Sequence, residues 1–286
     1  MMKRFLLAWG VLAVAGAGVV RAQTVEFELQ LSHATYVVGE PIDFTLHLAD
    51  VGSTPVVVDT VGPYAQNRLF LEISAPGGKK MDPLGSPELI DSLMLAPGEV
   101  FRDTFYVDDL FPILRQGTYY LRAKLILGDR LYETNLKTFS VVPGITLATA
   151  VQPIPDRPGH LRELHLVYLA RARREFLFLR CLDDGGEQTS PTLRLGPVVR
   201  ITKPTLSLSP DGTITVRHQA TRNRFQETRI RSDADGLRVM EEQQKVNRKS
   251  SLLLDAILPP EPDAPEPPAR PASPAARRTE RPADGW

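Results

Sequence analysis

The stretch Val25-Glu-Phe-Glu-Leu-Gln-Leu31 alternates apolar and polar residues one by one. Successive side chains of a β-strand point to opposite faces, so this pattern predicts a strand with one buried face. The segment from Ile42 to Leu48 repeats the alternation, and similar short segments follow as far as residue 142. The predicted strands lie at 25–31, 42–48, 56–58, 69–73, 100–107, 119–127 and 137–142. About seven short strands in about 120 residues are typical of an antiparallel β-sandwich.

Three motifs in this part of the chain resemble those of a known fold family. They are Tyr36-Val-Val-Gly-Glu-Pro-Ile42, Leu95-Ala-Pro-Gly-Glu99 and Gly117-Thr-Tyr-Tyr-Leu-Arg-Ala123. Their order resembles bacterial immunoglobulin-like β-sandwiches, including macroglobulin-type domains and the bacterial intracellular proteinase inhibitor family. The resemblance covers residues 25–142, and it places Tyr119 like a tyrosine-corner residue at the start of a late strand. One fold of this kind serves many functions, so the resemblance implies no particular activity.

The residues that follow, 144–249, also carry β signals. Asp211-Gly212 lies between two alternating runs and predicts a hairpin. The segment 161–182 allows two interpretations: its Leu, Ala, Arg and Glu content favours a helix, whereas its aromatic residues and two-residue alternation favour a hairpin that turns near 170–174. We prefer the hairpin. The chain is therefore predicted to be all-β, with two consecutive sandwich-like domains, the second of which we assign to no family.

Both ends of the chain differ in composition from a folded domain. Lys3 and Arg4 precede an apolar run that ends in a small-residue site at Val20 and Ala22, as in a cleaved secretory signal peptide. An uncleaved anchor is the alternative, but the run is shorter than the ~20 residues of a membrane-spanning helix. After Leu258 the chain holds nine prolines in 28 residues. Such a segment buries too little apolar area to fold.

The domain scheme follows from these segments. We expect a solvated tail at the carboxyl end, with a spacer or a docking peptide as the alternative role. Residues 241–258 are compatible with a short helix, which the scheme places at 250–258. The predicted segments are a signal peptide at 1–22, an immunoglobulin-like β-sandwich at 23–143, a second β-rich domain at 144–249, a short helix at 250–258 and a disordered Pro-rich tail at 259–286. We expect a periplasmic or secreted protein, with no membrane span after signal cleavage.

The formal net charge of zero hides two parts of opposite sign. Residues 23–143 hold nine Lys and Arg against sixteen Asp and Glu, a net charge of −7, whereas residues 144–249 hold eighteen against twelve, a net charge of +6. Complementary charges favour encounter, so the basic part is expected to dock on the acidic part, on an acidic partner protein or on an anionic polymer. Plain solvated strand faces are the alternative.

An arginine series supplies the candidate interaction residues of the basic part. The series comprises Arg217 and the seven candidates Arg171, Arg173, Arg174, Arg222, Arg224, Arg229 and Arg231. Nucleic acid is not expected as the partner, because few aromatic residues are interleaved to stack bases and the chain is predicted to be exported.

Motifs for catalysis, metals or cofactors do not stand out in the sequence. The five histidines, at 33, 47, 160, 165 and 218, show no metal-ligand spacing. The single cysteine, Cys181, can form no intramolecular disulfide and is expected to be a buried strand thiol. We therefore expect no metal, no cofactor and no enzymatic activity.

The acidic residues also have ordinary interpretations. Asp233, Asp235 and Gly236 resemble the start of a calcium loop, but the later ligands of a twelve-residue loop are missing, so a hairpin turn is favoured. Two acidic pairs, Asp108-Asp109 and Asp183-Asp184, are interpreted as loop acids.

The functional prediction is a non-enzymatic interaction or structural protein of the cell envelope, which binds another protein through loops or a strand edge of the immunoglobulin-like domain. Three alternatives stay open. A protease inhibitor would use the loop 82–98, with Leu84, Leu89, Leu93 and Met94, as bait. An envelope-polysaccharide binder would use the arginine series. An unrecognised hydrolase would assemble its site across the fold without a sequence motif.

Overall fold

The structure is a computed structural model that describes residues 25–246, apart from residues 61, 156, 185, 187, 189 and 235. The regular elements of these residues are all β-strands, which confirms the predicted all-β fold class. No helix in the described part of the chain is long and apolar enough to cross a membrane. The predicted signal peptide, the predicted helix at 250–258 and the predicted Pro-rich tail lie outside the described residues.

Residues 25–142, here called the amino-terminal part, form ten strands. These are β1 Val25–Leu31, β2 Thr35–Val37, β3 Asp43–Asp50, β4 Val56–Asp59, β5 Arg68–Ser74, β6 Ser92–Leu95, β7 Val100–Tyr106, β8 Gly117–Leu127, β9 Arg130–Glu133 and β10 Lys137–Val142. All seven predicted strands are present. The three that were not predicted, β2, β6 and β9, have three or four residues each. Segments that short contain too few alternations for the two-residue pattern to be recognised. β4, which is equally short, was predicted from its three consecutive valines after a turn.

These strands form two main sheets with one hydrophobic core. One sheet has the order β1-β3-β7 and the other the order β2-β10-β8-β5, with β9 paired to β8, while β4 and β6 form a separate pair. β2 runs parallel to β10, and the remaining pairs are antiparallel. The inward side chains of both main sheets belong to a single cluster, which includes Leu29, Phe44, Leu71 and Leu121.

β8 illustrates how alternation in the sequence becomes burial. Every second residue from Tyr119 to Leu127 is at most 5% exposed, and the residues between them are more exposed. The Tyr119 hydroxyl donates a hydrogen bond to the backbone carbonyl of Arg115 at 2.7 Å. A bond from this hydroxyl to the backbone a few residues upstream is the one that a tyrosine corner makes. Tyr119 therefore makes the hydrogen bond that is expected of a residue in this role.

Residues 145–246, here called the carboxy-terminal part, form eight strands in two four-stranded sheets of orders β11-β12-β13-β14 and β15-β16-β17-β18. The strands are β11 Ile145–Pro153, β12 Leu161–Arg171, β13 Arg174–Asp183, β14 Leu193–Pro197, β15 Thr205–Leu208, β16 Thr213–Thr221, β17 Arg224–Asp233 and β18 Gly236–Val246. A second hydrophobic cluster, which includes Leu164, Leu179, Ile214 and Ile230, draws on both sheets.

The segment 161–182 is a hairpin, as preferred in the sequence analysis. β12 and β13 pair along their length and are joined by Ala172 and Arg173. These two residues have positive φ angles of 49° and 64°. Two consecutive residues in this region form a turn whose twist matches that of the flanking strands. Strand pairing therefore overrides the helix-favouring composition.

The helix considered for 241–258 is wrong for residues 241–246. These residues continue β18 and pair with β17, with Glu241 opposite Arg229 and Gln243 opposite Glu227. The cross-strand pairs outweigh the helix propensity of Glu, Gln and Lys. Asp233 and Gly236 flank the β17–β18 turn, so the hairpin favoured over a calcium loop is present.

Two residues, Pro143 and Gly144, separate β10 from β11. A third cluster of buried residues joins the two parts of the chain and contains Val37, Val167, Phe176 and Phe178. The described residues belong to one compact unit with two main cores. The boundary between domains at residues 143 and 144 stays a prediction.

Candidate functional site

The seven candidate arginines lie in several places. They are Arg171 at the buried end of β12, Arg173 and Arg174 at the exposed turn after it, Arg222 and Arg224 at the exposed turn between β16 and β17, and Arg229 and Arg231 on the exposed face of β17. The seven arginines therefore do not form one surface, although the sequence analysis grouped them as one series.

Arg171 forms a buried ion pair with Glu40 of the amino-terminal part. Its Nη2 donates to Glu40 Oε1 at 2.7 Å and its Nη1 to Oε2 at 3.0 Å. The two side chains are 5% and 6% exposed. Nη1 also donates to the backbone carbonyl of Thr35, and Glu40 Oε2 accepts the backbone N–H of Val37 at 2.9 Å. These bonds occupy the guanidinium inside the molecule, so Arg171 is not available to an external partner.

The motif that contains Glu40 is a contact surface between the two parts. The Arg171 guanidinium lies 5.1 Å and 5.5 Å from the ring centres of Phe176 and Phe178, close enough for cation–π attraction. The backbone carbonyl of Gly39 accepts the N–H of Thr192 at 2.8 Å. The sequence analysis interpreted this motif only as a marker of fold. In the structure, the basic part contacts the acidic part through this motif, which is one of the interactions considered in the sequence analysis.

Arg194, a second arginine of the carboxy-terminal part, also lies at the junction between the parts. Arg194 lies over Phe176, with its guanidinium 4.4 Å from the ring centre. Burial, followed by the charges of Arg171 and Arg194, lowers the pKa of His33 to about 4. His33 is therefore neutral at neutral pH.

Arg162 is a buried residue that the sequence analysis missed. Its side chain is 0% exposed and makes a two-pronged ion pair with Asp183, at 2.7 Å from Nε and 2.9 Å from Nη2. Nη1 donates to the Ser232 hydroxyl and to the backbone carbonyls of Asp233 and Gly236. Arg162 therefore joins the β12–β13 hairpin to the β17–β18 turn. The interpretation of Asp183 as a loop acid is wrong.

Asp108 also has a structural role that its sequence context did not indicate. Its Oδ1 accepts the backbone N–H of Ile42 at 2.9 Å and so fixes the start of β3. Asp108 does lie in the loop between β7 and β8, as interpreted, but its carboxylate also has this structural role.

The outward side of the sheet β15-β16-β17-β18 carries the largest group of arginines, and we call it the basic face. Its residues lie in cross-strand rows: Thr213, Arg231 and Arg238 in one row, Thr215, Arg229 and Glu241 in the next, and Arg217, Glu227 and Gln243 in the third. Directly opposite residues have Cβ atoms about 5 Å apart. Two of the seven candidates therefore lie on this face, together with Arg217 from the same series and Arg238, which the sequence analysis did not single out.

The two ends of the basic face differ in charge balance. Arg229 lies 3.7 Å from Glu227 and 3.6 Å from Glu241, and Lys245 lies 3.1 Å from Glu227. Arg231 and Arg238, in contrast, lie directly opposite each other, and neither forms an ion pair with a described residue. Like charges directly opposite each other are destabilising in a sheet. Arg231 also interacts electrostatically with Asp211. Both guanidinium groups lack an ion pair among the described residues, so an external anion can bind them.

The inward side of the same strands holds the basic face in place. Ile214, Val216 and Ile230 belong to the second core. His218 is buried and its Nε2 bonds to the Pro197 carbonyl at 3.1 Å, and burial lowers the pKa of His218 to about 4. Its neutral ring donates to the carbonyl and is part of the packing rather than of a titrating site.

The residues that were considered for metal binding or thiol chemistry can be located among the described residues. These residues contain no group of three or more His, Cys, Asp or Glu side chains that is arranged to hold a metal. Cys181 is buried, as predicted, and its sulfur lies 2.8 Å from the Ser190 hydroxyl. Burial raises the pKa of the Cys181 thiol and so keeps it in the less reactive protonated form.

The segment 82–98 is not a free loop. Residues 92–95 form β6, which pairs with β4, and Leu89 and Leu93 pack against the first core. Leu84 and Met94 are exposed, at 64% and 71%. The proteinase-inhibitor function stays a prediction, but the segment is attached to the sandwich along much of its length.

Comparison with known proteins leaves the chain without a family. No family model and no curated protein matches the sequence. Among solved structures, the sporulation control protein Spo0M from Bacillus subtilis is similar, with 13% sequence identity and a TM-score of 0.29 over 56% of this chain and 80% of that chain. A TM-score this low supports no argument about this chain.

Proposed function

We propose that the protein is an exported, non-catalytic binding protein that holds an acidic partner protein on its basic face. The observation that carries the proposal is the direct opposition of Arg231 and Arg238, neither of which forms an ion pair with a described residue. A partner carboxylate placed between the two guanidinium groups would accept hydrogen bonds from both and remove their repulsion.

The pattern of charge favours a protein over a uniform anionic polymer. A polymer with regular negative charges that lay along β17 would pass Arg231 and then meet Glu227 and Glu241. A folded partner can present an acidic group to one end of the face and a neutral or basic group to the other. The alternation of paired and unpaired arginines therefore suits a partner with its own fixed pattern.

The strand arrangement of the amino-terminal part supports an exported binding protein. Its sheet orders, β1-β3-β7 and β2-β10-β8-β5, separate the strands in the manner of an immunoglobulin sandwich. The bond from Tyr119 to Arg115 agrees with the tyrosine corner of that fold. The signal peptide predicted from the sequence supports an extracytoplasmic location, where sandwiches of this type commonly bind other proteins.

Charge reversal tests the proposed face. The variant Arg231→Glu/Arg238→Glu is compared with the matched control Arg173→Glu/Arg174→Glu, which alters two exposed arginines at the β12–β13 turn. Each protein is used to capture partners from an envelope extract, and the partner is then purified for titration. We expect the first variant to lose about tenfold or more in affinity and the control to keep the wild-type value.

Salt dependence and a polymer probe complete the test. Exposed charge pairs are screened as the Debye length falls from about 10 Å at 0.1 M salt to about 3 Å at 1 M, so capture should fall over that range. Capture that is unaffected by the Arg231 and Arg238 substitutions would refute the basic face. If polyglutamate binds as tightly as the purified protein, a polyanion replaces the protein as the proposed partner.

A further inference from the structure

A shallow depression of about 200 Å³ lies on the outward side of the sheet β1-β3-β7, away from the first core. It is lined by Glu28, Gln30, Thr45, His47 and Arg102. These side chains come from all three strands, and all five are polar. The sequence analysis singled out none of them as a site, because each one is the ordinary outward residue of an alternating strand.

The strand register brings the lining residues into two rows. Glu28 lies opposite His47, and His47 lies opposite Arg102. Gln30 lies opposite Thr45 in the neighbouring row. The carboxylate and the guanidinium are thus at the two outer strands, with neutral polar groups between them.

The charged groups of the depression are not used by the fold. Glu28 and Arg102 form no ion pair with each other or with any other described residue. Their strands are separated by one intervening strand, so their backbones lie about 10 Å apart. A carboxylate and a guanidinium with open space between them present one negative and one positive end to a ligand.

The charge arrangement selects the class of ligand. A ligand with only negative charge would be repelled at Glu28, and one with only positive charge would be repelled at Arg102. A ligand with an ammonium group at one end and a carboxylate at the other satisfies both ends.

We propose that this depression binds a short zwitterionic peptide across the three strands, with its amino terminus at Glu28 and its carboxyl terminus at Arg102. An extended chain spans about 3.5 Å per residue, so two or three residues cover the distance between the outer strands. His47, Thr45 and Gln30 lie where the peptide groups of such a ligand would pass, and each has a donor or an acceptor for them.

NMR titration of the isotope-labelled protein with triglycine tests the proposal. We expect chemical-shift changes confined to the sheet β1-β3-β7 and a dissociation constant of the order of 1 mM, given the small size of the probe. N-acetyl-triglycine lacks the ammonium group and triglycine amide lacks the carboxylate. Each should bind about tenfold more weakly, because a charge-assisted hydrogen bond is lost.

Matched variants assign the two ends. Glu28→Gln should weaken triglycine about tenfold and leave N-acetyl-triglycine unchanged, whereas Arg102→Gln should weaken triglycine and leave the amide unchanged. Glu26→Gln is the control on the same strand and face, one row away, where its cross-strand neighbour is Ala49. It should bind as the wild type does.

Three results would overturn the proposal. The first is the absence of shift changes at this sheet with about 10 mM triglycine, well above the expected dissociation constant. The second is equal weakening by Glu26→Gln and Glu28→Gln, which would indicate a general charge effect. The third is equal binding of a neutral disaccharide, which would indicate a site for hydroxyl-rich ligands instead of zwitterions.

Discussion

Replacement of Glu40 by Gln should strongly destabilise the protein. The substitution keeps the size of the side chain but removes the negative charge beside Arg171, whose guanidinium is 5% exposed. The amide also places an NH₂ donor against a group that has only donors. A buried guanidinium would then remain without a counter-charge.

The expected cost follows from the contacts of the pair. Glu40 accepts two bonds from Arg171, at 2.7 Å and 3.0 Å, and one from the Val37 N–H. Removal of one partner of a buried ion pair costs about 3–5 kcal/mol. This is a large share of the 5–15 kcal/mol that is typical of a folded domain. Glu40→Gln/Arg171→Met should be more stable than Glu40→Gln, because it leaves no buried charge.

Urea unfolding followed by circular dichroism measures these differences. The urea midpoint of Glu40→Gln should fall by about 1–2 M, for a slope of about 3 kcal/mol per M. Glu241→Gln is the control, because its ion pair with Arg229 is about half exposed and such pairs contribute about 1 kcal/mol or less. The reasoning is refuted if Glu40→Gln costs no more than Glu241→Gln, or if the double variant loses the full sum of its two single substitutions.

Two further predictions concern the carboxy-terminal part. Arg162→Lys should cost about 3 kcal/mol or more in urea unfolding, because one ammonium group cannot replace the planar fork that bonds to Asp183 and to the β17–β18 turn; a loss below about 1 kcal/mol would contradict this. His218 is held neutral by burial, with its pKa lowered from 6.5 to about 4, so the unfolded chain takes up the proton first as the pH falls. Its contribution, up to about 3 kcal/mol, should be complete above pH 6.5 and be lost between pH 6.5 and 4, and His218→Gln should flatten that part of the stability–pH curve. An unchanged curve would show that His218 does not titrate in this way.

The strands of the amino-terminal part were predictable because burial follows alternation directly. β1, β3 and β8 each repeat the two-residue pattern over seven or more residues. The short strands β2 and β6 were not predictable, because their positions depend on pairing with β10 and β4 rather than on their own sequence. Register between distant strands is a tertiary property.

The candidate site was predictable only in part, for a related reason. The excess of arginine was visible in the sequence, but the role of each arginine depends on which carboxylate lies opposite. Arg171 meets Glu40, Arg229 meets Glu241, and Arg231 meets Arg238. A bulge in β18 beside Arg229 shifts this register, and no local pattern indicates it.

The short connection through Pro143 and Gly144 has a consequence for binding at more than one place. With the Glu40–Arg171 pair and the buried cluster around Val37, it leaves the two parts little freedom to rotate against each other. A partner that contacts one part therefore meets the other at a constant distance and loses little orientational entropy in reaching it. The second contact acts at a high effective concentration, so two weak contacts can combine into a long-lived complex.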